Sequence, residues 1–273
     1  MKISVSASIV LYKCDDEVFR AIDCLLSSTI DIKIFLIDNS PTNELEKKLN
    51  YYITQKNVVY IFNNSNLGFG PAHNIAIKKV LSTSKYHLVV NPDIFFVNGV
   101  LEILYDYMEA NNEVGSVIPK ILYPDNSIQY VAKLIPSPLD LFGRRFLPNG
   151  ILKNRNKRLQ LENSGYNKIF EAPYLSGCFM FLRVEALKKV GLFDERFFMY
   201  PEDIDLTRRI HRHYKTIFYP QATVYHEHGK GSYKSLKMLW VHSINMIKYF
   251  NKWGWLFDKE RKIINNKILS QFK

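Results

Sequence analysis

The chain has 273 residues, of which 47% are hydrophobic and 23% are charged, the values of a globular protein with one sizeable core. Its three cysteines are widely spaced and exclude a disulfide framework, and no apolar run reaches the ~18 residues that span a membrane. The apolar stretch at residues 1–12 is interrupted by serines, so we interpret it as a first strand rather than a signal peptide. These features fit a reducing, cytoplasmic compartment.

The net charge of +11 is concentrated in two basic patches. Residues 133–168 carry a net charge of +6 and residues 230–273 a net charge of +8, so the rest of the chain is slightly acidic. This uneven distribution indicates an anionic partner. The aromatic share of 14% suits a wide binding cleft or a membrane-facing surface.

The alternation of strands and helices over residues 1–95 predicts the fold class. Strands are expected at Ser4–Leu11, Ile32–Ile37, Val58–Phe62 and Tyr86–Val90. Helices are expected at Asp15–Ser27, at Asn43–Tyr51 and from Pro71 to about Leu81. The first helix is amphipathic, with an apolar face of Val18, Ala21, Ile22 and Leu25. This order predicts an α/β protein with a Rossmann-like, mainly parallel central sheet, right-handed crossovers and flanking helices.

The second half of the chain is less regular. Its expected helices are Val100–Asn111, Val184–Val190, Ile204–His213 and a helical region from Ser235 onward. Its expected strands are Gly115–Ile118, Tyr174–Arg183, Thr216–Tyr219 and Ala222–Tyr225. Between them lies an irregular basic segment of about 50 residues, and a loop of that length is usually functional or mobile.

Two aspartates follow predicted strands. Asp93 stands just after Pro92, which ends the buried strand of residues 86–90, and Asp38 ends the second strand. The carboxyl ends of parallel strands are where ligands bind in open α/β sheets. A solvated turn at Asp93 and an Asx-turn at Asp38 are the competing interpretations.

Three other segments carry candidate chemistry. Gly68 and Gly70 precede a helix amino terminus, where a phosphate is favoured, but the sequence lacks the third glycine of a dinucleotide fingerprint. Residues 193–205 contain five carboxylates beside aromatic residues, which favours a general base in a partly dry pocket over simple helix capping. His226 and His228, two residues apart, are candidate ligands for a divalent ion or surface histidines.

The basic carboxyl-terminal region combines lysines and arginines with tryptophans. This composition is typical of an interfacial helix, and an ordinary core-packing helix with a solvated lysine face is the equal alternative. A nucleic-acid-binding protein would also be basic, but it gives no role to the acidic cluster at residues 193–205, so we expect no nucleic-acid partner. A nucleotidyltransferase is disfavoured because no glycine-rich triphosphate loop is present.

Seven segments together resemble the family 2 glycosyltransferases of the GT-A fold, and among them the bacterial rhamnosyltransferase-like branch. They are residues 8–12, 37–40, 66–70, 91–93, 176–180, 202–206 and 226–232, in the family's order. The resemblance implies a GT-A domain over residues 1–232 and a basic, aromatic helical region over residues 233–273. Within that domain, residues 1–97 would bind the nucleotide sugar and residues 98–232 would form the acceptor and catalytic half, which includes a small acceptor-side subregion.

The resemblance also implies roles for individual residues. The nucleotide-sugar site would be formed by Asp38, Asn39, Asn66, Gly68, Gly70, Asn91, Ser176 and Gly177. Asp93 matches the last acid of the family's DxD motif, which binds Mg²⁺ or Mn²⁺, whereas Asn91 replaces its first acid. His226 would be a second metal contact, with His228 as its alternative. Asp203 would be the catalytic base, and Glu202 would orient it or the acceptor.

The activity implied is inverting, metal-dependent transfer of a sugar to a hydroxyl of a saccharide acceptor. The rhamnosyl branch favours dTDP-rhamnose as donor and a lipid-diphosphate-linked saccharide as acceptor, as in O-antigen or capsule assembly. A UDP-hexose or another nucleotide sugar is the alternative donor. The two basic patches would then contact the acceptor diphosphate and an anionic membrane, which predicts a peripheral protein on the cytoplasmic face of the inner membrane.

Overall fold

The computed structural model describes residues 3–146, 150–227 and 236–272. The strands are β1 (Ile3–Leu11), β2 (Ile32–Asp38), β3 (Val58–Phe62), β4 (Ser84–Val90), β5 (Ile94–Phe95), β6 (Val114–Leu122), β7 (Ile128–Gln129), β8 (Ala132–Lys133), β9 (Phe170–Glu171), β10 (Tyr174–Leu175), β11 (Phe179–Arg183) and β12 (Lys215–His226). The α-helices are α1 (Glu17–Leu26), α2 (Glu44–Lys48), α3 (Asn50–Ile53), α4 (Phe69–Val80), α5 (Val100–Ala110), α6 (Pro138–Phe146), α7 (Lys153–Leu159), α8 (Val184–Val190), α9 (Pro201–His211), α10 (Leu236–Trp253) and α11 (Lys259–Leu269).

A ten-stranded sheet forms the centre of the molecule, with its main strands in the order β3-β2-β1-β4-β11-β6-β12-β5. Strands β1 to β4 pair in parallel, β12 is parallel to β6, and β11 runs antiparallel to both β4 and β6. Six long strands therefore point the same way, and their carboxyl ends share one edge. The predicted α/β class with a mainly parallel central sheet is confirmed.

The core is built from the residues that the sequence periodicity places inside. The predicted inner face of α1 is the buried one, with Val18, Ala21, Ile22 and Leu25 all within 1% of full burial. Helix α8 and strand β3 begin and end where they were predicted. Strand β3 is a short apolar run, and α8 has its buried residues at helical spacing and ends at Gly191.

Several predicted elements were wrong in detail. The expected strand Tyr174–Arg183 is interrupted: β10 pairs with β8 in a separate two-stranded sheet, and β11 begins only at Phe179. The expected helix Asn43–Tyr51 divides at Leu49 into α2 and α3. The strands expected at 216–219 and 222–225 are one strand, β12, with a register shift between Tyr219 and Thr223 that accommodates the intervening residues.

The irregular basic segment is more ordered than the sequence indicates. Helices α6 and α7 and strands β7 to β9 lie within or beside it. Tyr166 organises this region, because its buried hydroxyl contacts the backbone carbonyl groups of Ala132 and Gln160. A contact between residues 34 positions apart leaves no local signal in the sequence.

Helix α10 packs across α9 and the segment before it. Phe197 and Ile204 form a buried apolar cluster with Met246, Tyr249 and Phe250. None of the described helices is long and apolar enough to cross a membrane.

Candidate active site

The sheet register brings the predicted site residues to one edge. Leu11 at the end of β1 pairs with Asp38 at the end of β2, and Val90 at the end of β4 pairs with Phe179 at the start of β11. The last residue of β12, His226, pairs with the start of β5, directly after Asp93. The carboxyl ends of β1, β2, β4 and β12 and the loop before β11 therefore meet, as expected for a ligand site in an α/β sheet.

Asp38 is fully buried and held by two donors. The Ser40 backbone N–H donates to its Oδ1 at 2.8 Å, which is the Asx-turn considered from the sequence, and the Tyr60 hydroxyl donates to its Oδ2 at 2.6 Å. Burial, together with the adjacent Asp38, raises the pKa of Tyr60, so the phenol stays protonated. Each carboxylate oxygen has two acceptor positions, so one per oxygen remains for a ligand donor.

An amide network joins the next two predicted residues. Asn39 Nδ2 donates to the Gly68 carbonyl at 3.0 Å, and Asn66 Oδ1 accepts from the Gly68 backbone N–H at 3.0 Å. Asn63 completes the network by donating to Asn39 Oδ1 at 2.8 Å. The turn at the end of β2 and the glycine loop before α4 are thus one rigid unit.

Gly68 lies against a loop that follows it by 130 positions. Its φ of +89° and ψ of −172° belong to a backbone region that only glycine enters without strain. A Cβ there would lie 2.1 Å from the Phe198 carbonyl oxygen, which accepts a 2.9 Å hydrogen bond from the Phe69 N–H. Gly70 is packed as tightly, with an added Cβ only 2.9 Å from Phe193 and 3.4 Å from Glu202. The glycine loop and the acidic segment therefore touch.

Asp93 and His226 face each other across the sheet edge. Asp93 Oδ1 lies 3.2 Å from His226 Nε2, and the Asn91 amide lies 3.4 Å from the same nitrogen. Burial lowers the pKa of His226, but the contacts with Asp93 and Cys178 outweigh it and raise the pKa to about 10. Asn91 is also tied into the edge, because its backbone N–H donates to the Cys178 carbonyl at 2.9 Å.

Gln129 fixes how the His226 ring is turned. The Gln129 Nε2 donates to the His226 carbonyl at 2.8 Å, which leaves its Oε1 beside His226 Nδ1 at 2.9 Å. An amide oxygen only accepts, so Nδ1 carries a proton and Nε2 is the nitrogen directed at Asp93. This is the arrangement by which a supporting residue selects the metal-binding nitrogen of a histidine.

These side chains fit a divalent cation in part. Asp93 offers a carboxylate that suits Mn²⁺ or Mg²⁺. His226 offers a correctly turned imidazole whose Nε2 would bind Mn²⁺ once the cation displaces the proton that the contact with Asp93 favours there. Within the described ranges, no group of three or more His, Cys, Asp or Glu side chains is placed to hold a metal ion. The predicted alternative ligand His228 lies outside the described residues. A cation here would need oxygens from a bound ligand or from water to complete its shell.

Asp203 is held by three hydrogen bonds. Its Oδ2 accepts from the Gly177 N–H at 2.9 Å and the Tyr174 hydroxyl at 3.3 Å, and its Oδ1 accepts from the Ile204 N–H at 2.8 Å. The side chain is 8% exposed, and this burial raises its pKa above the ordinary aspartate value although the hydrogen bonds oppose the shift. A fixed carboxylate with a raised pKa is what a general base at neutral pH requires.

Glu202 is more deeply buried than its neighbour. Burial first and the adjacent Asp203 second raise the pKa of Glu202, so it holds its proton while Asp203 is ionised. Its Oε2 makes no hydrogen bond with any part of the chain that the structure describes. Glu202 is therefore a neutral carboxylic acid, which can donate a hydrogen bond but does not take up a proton.

Ser176 and Gly177 form the loop that interrupts the predicted strand. The Ser176 N–H donates to the Val131 carbonyl at 2.9 Å, which anchors the loop beside β8. A Cβ on Gly177 would approach the Phe69 ring to 3.2 Å and Asp203 Cβ to 3.3 Å. The glycine loop, this loop and α9 thus converge on Asp203.

The other acids of the predicted pocket have structural partners, which corrects the sequence interpretation. Asp194 pairs with Arg196 and Lys252, and Glu195 with Lys78. Asp205 is fully buried and binds Arg209, Lys252 and the Trp253 indole N–H. Helix α9 begins at Pro201 rather than Ile204, so Glu202 and Asp203 also lie in its first turn, where the dipole favours negative charge.

Sequence reasoning missed four residues that shape the site: Tyr60, Gln129, Tyr174 and Lys252. The first three form hydrogen bonds with Asp38, His226 and Asp203, which lie 22 to 97 positions away in the chain. Lys252 forms an ion pair with Asp205 of the acidic segment. No local spacing connects such residues, so the sequence alone carries no signal for these contacts.

The chain is similar in sequence to known transferases. A family model described as glycosyl transferase family 2 matches residues 6–191. The chain is 28% identical over 219 residues to an N-acetylglucosaminyl-diphospho-decaprenol L-rhamnosyltransferase of Mycobacterium tuberculosis, covering 74% of this chain and 68% of that protein. It is 25% identical over 243 residues to rhamnosyltransferase WbbL of Escherichia coli K12, covering 85% and 87%.

Solved structures share the fold. GalNAc-T7 with UDP, GalNAc and Mn²⁺ superposes with a TM-score of 0.62 at 17% identity, over 82% of this chain and 43% of that one. The mannosyltransferase PcManGT of Pyrobaculum calidifontis with GDP-Man and Mn²⁺ gives 0.60 at 14% identity, over 91% and 65%. The family match over residues 6–191, the relatives and the shared GT-A fold together show that the chain belongs to glycosyl transferase family 2 and is a rhamnosyltransferase-like enzyme.

Proposed function

We propose that this chain transfers rhamnose, with inversion, from dTDP-rhamnose to a hydroxyl of a lipid-diphosphate-linked saccharide during assembly of a cell-surface polysaccharide such as O-antigen or capsule. Both sequence relatives are rhamnosyltransferases, which supports rhamnose as the sugar, and the mycobacterial relative acts on a diphospho-decaprenol-linked acceptor. The observation that carries the chemical part is the fixed, buried carboxylate of Asp203, which lies beside the loops that converge at the sheet edge.

The proposed donor site follows the sheet edge. Asp38 and Asn39 hold the base or ribose, and Asn66, Gly68 and Gly70 line the cleft for the rest of the nucleotide sugar. Asn91 sits beside the diphosphate position, and Ser176 and Gly177 border the transferred sugar. The rigid amide network between Asn39, Asn66 and Gly68 supports this assignment, because a preformed cleft loses little entropy when a ligand binds.

Asp203 is the proposed base. Its carboxylate takes the proton of the acceptor hydroxyl while that oxygen bonds to the anomeric carbon from the face opposite the diphosphate. The bond between the anomeric carbon and the diphosphate oxygen breaks at the same time, and its electron pair leaves with the nucleotide. Glu202 stays protonated beneath Asp203, which keeps the single negative charge of the pair on the reacting carboxylate.

Asp93 and His226 are the proposed metal-holding residues. Mg²⁺ or Mn²⁺ bound there would neutralise the charge that develops on the diphosphate leaving group. Since the described protein ligands number only two, we expect weak metal binding until the donor diphosphate arrives. Tight binding of Mn²⁺ to the protein alone, measured by calorimetry, would contradict this.

A donor panel tests the proposal. Thermal unfolding is recorded with dTDP-rhamnose, UDP-glucose and GDP-mannose, each with Mg²⁺ or Mn²⁺, and products with a short-chain polyprenyl-diphosphate saccharide are weighed by mass spectrometry. We expect stabilisation by thymidine diphosphates and a product heavier by one deoxyhexosyl residue. Stabilisation and transfer with a UDP-hexose instead would favour the alternative donor, which fits the same scaffold.

A further inference from the structure

The two basic patches of the sequence meet in space. A groove of about 540 Å³ lies between α7 and α11 and is lined from one side by Arg155 and Arg158 and from the other by Lys259, Arg261 and Lys262. Asn265 ties the two sides together, because its amide both donates to and accepts from the Ile135 backbone at 2.9 Å. Residues more than 100 positions apart therefore form one cationic surface.

The acids near this groove are already paired. Asp140 binds Arg155, Asp258 binds the buried Arg208, and Glu260 binds Arg208 and Arg212. Among the residues that the structure describes, Arg158, Lys259 and Lys262 form no ion pair with a carboxylate, and all three are exposed. The positive charge of these three side chains is therefore exposed to solvent and not neutralised by the nearby acids.

Large apolar side chains project beside these cations. The turn between α10 and α11 exposes Leu256 by 78% and Phe257 by 93%. Both residues also line the groove. Neighbouring exposed aromatic and aliphatic side chains of this size on a soluble protein mark an interaction surface.

The apolar surface continues along the outer face of α10. Trp240, Ile244 and Ile247 are 70%, 43% and 43% exposed and recur at helical spacing. The row leads through Asn251, whose Oδ1 accepts from the Trp255 indole N–H at 2.9 Å, into the turn of Leu256 and Phe257. The buried face of α10, with Met246, Tyr249 and Phe250, points the other way.

We propose that this outer surface docks onto an anionic lipid bilayer, with its apolar side chains inserted at the boundary between headgroups and acyl chains. The surface comprises Trp240, Ile244, Ile247, Leu256 and Phe257 together with Arg158, Lys259 and Lys262. Apolar residues with tryptophan beside outward-facing cations are the combination that binds anionic membrane interfaces.

Charge complementarity selects the bilayer over other partners. A second copy of the chain using the same face would bring the like-charged cations together, which is unfavourable. A nucleic acid would leave Leu256 and Phe257 in water. Docking on a bilayer would bring the enzyme to the lipid-linked acceptor of the proposed function, and its biological role rests on that function. The binding itself can be tested separately, because vesicle binding needs neither donor nor acceptor.

Vesicle binding with intrinsic fluorescence tests the proposal. The purified chain is mixed with phosphatidylcholine vesicles that contain or lack phosphatidylglycerol, at low and high salt, and its partition is measured by sedimentation. We expect binding to the anionic vesicles that weakens with salt. Vesicles with brominated acyl chains should quench Trp240 and Trp255, compared through W240F and W255F variants, while Trp253, packed between Arg208 and Arg212, should be unaffected.

Substitutions assign the binding to this surface. Replacing both Lys259 and Lys262 by Gln should weaken partition about 30-fold, at ~1 kcal/mol for each cation. L256S/F257S should abolish the quenching of tryptophan fluorescence by the brominated vesicles. It should not change the rate of sugar transfer to a water-soluble acceptor. The matched control replaces Lys47 and Lys48 by Gln and the 71%-exposed Tyr51 by Ser, on the opposite end of the sheet order, and should bind like wild type.

Three outcomes would overturn the proposal. The first is vesicle binding that does not depend on phosphatidylglycerol or on salt. The second is a loss of vesicle binding in the control variant as large as in the surface variants. The third is self-association through Leu256 and Phe257, measured by light scattering, without vesicle binding. A chain that docks as expected but transfers no sugar would leave the docking surface intact and refute the proposed function instead.

Discussion

Replacing Gly68 by Ala tests whether the contact between the glycine loop and the acidic segment organises the donor cleft. The added methyl carbon would lie 2.1 Å from the Phe198 carbonyl oxygen, so either that carbonyl or the loop must move. Movement of the carbonyl breaks the 2.9 Å hydrogen bond from the Phe69 N–H and shifts the segment that leads into Glu202 and Asp203.

The magnitude follows from adding the separate costs. The glycine-only backbone conformation costs an alanine about 1–3 kcal/mol. Loss of the hydrogen bond adds about 1 kcal/mol. The lower entropy of an unfolded alanine chain returns about 0.5–1 kcal/mol. We expect G68A to lower the free energy of unfolding by about 1–3.5 kcal/mol and to weaken donor binding.

Gly99 provides a matched control, because its φ is +92° and a Cβ there would meet nothing within 4 Å. G99A should lower the free energy of unfolding by only about 1 kcal/mol, which is the strain of a positive φ less the gain from the lower entropy of the unfolded chain. Its donor affinity should be unchanged. Urea denaturation and calorimetry with a nucleoside diphosphate measure both quantities. If G68A matched G99A in stability and bound the donor like wild type, the contact would not organise the cleft.

Three further predictions concern the residues proposed to act in catalysis and in metal binding. D203N should reduce kcat by ~10²–10⁴-fold with donor affinity retained, whereas D106N on the exposed face of α5 should behave as wild type; parallel loss of affinity and rate would refute the base assignment. The base must be ionised to act, so kcat/KM of the wild type should fall about tenfold per pH unit as the pH is lowered through the pKa of Asp203. Because that pKa is raised, the fall should begin at a higher pH than it would for an ordinary aspartate. Q129L should weaken Mn²⁺ binding in the presence of a nucleoside diphosphate by ~10–100-fold, read by calorimetry, because the His226 ring loses the acceptor that orients it; an unchanged affinity would contradict that role.

The protonation of Glu202 gives a prediction about stability. Its pKa is raised on folding, so above pH about 4.5 the folded chain holds a proton that the unfolded chain has released. Wild-type stability should therefore fall by up to about 1.4 kcal/mol per pH unit from there until the raised pKa is passed. E202Q should lack this decline and gain on wild type as pH rises, in urea denaturation at pH 5 and 7.5. Parallel pH curves for the two proteins would refute a buried, protonated Glu202.

The parts of the fold that were predictable are those set by burial period and turn chemistry. The apolar face of α1 and the ends of α8 follow from side-chain spacing and a terminal glycine, and the parallel order of β1 to β4 follows from the strand–helix alternation. The edge position of Asp38 and Asp93 followed in turn, because strand ends of a parallel sheet coincide.

The parts that were not predictable depend on partners distant in the chain. Residues 174–183 read as one apolar strand, yet the chain leaves the sheet at Ser176 so that the Gly177 N–H can reach Asp203, 26 positions away. Helix α9 begins at Pro201 after Tyr200 takes a φ of +97°, a conformation that no propensity favours and that surrounding packing must impose. Ring orientation at His226 depends on Gln129, 97 positions earlier.

Helix α10 has a buried inner face and an exposed outer face. Its inner face binds the segment that carries the proposed catalytic acids, through Asn245 to the Met199 carbonyl at 2.9 Å and through Lys252 to Asp205 at 2.6 Å. Its outer face is the one exposed to the surroundings. The same helix thus joins the outer face to the segment that precedes Asp203. A ligand that changed the order of this segment would therefore change outer-face binding, and by the same factor outer-face binding would change the affinity for that ligand.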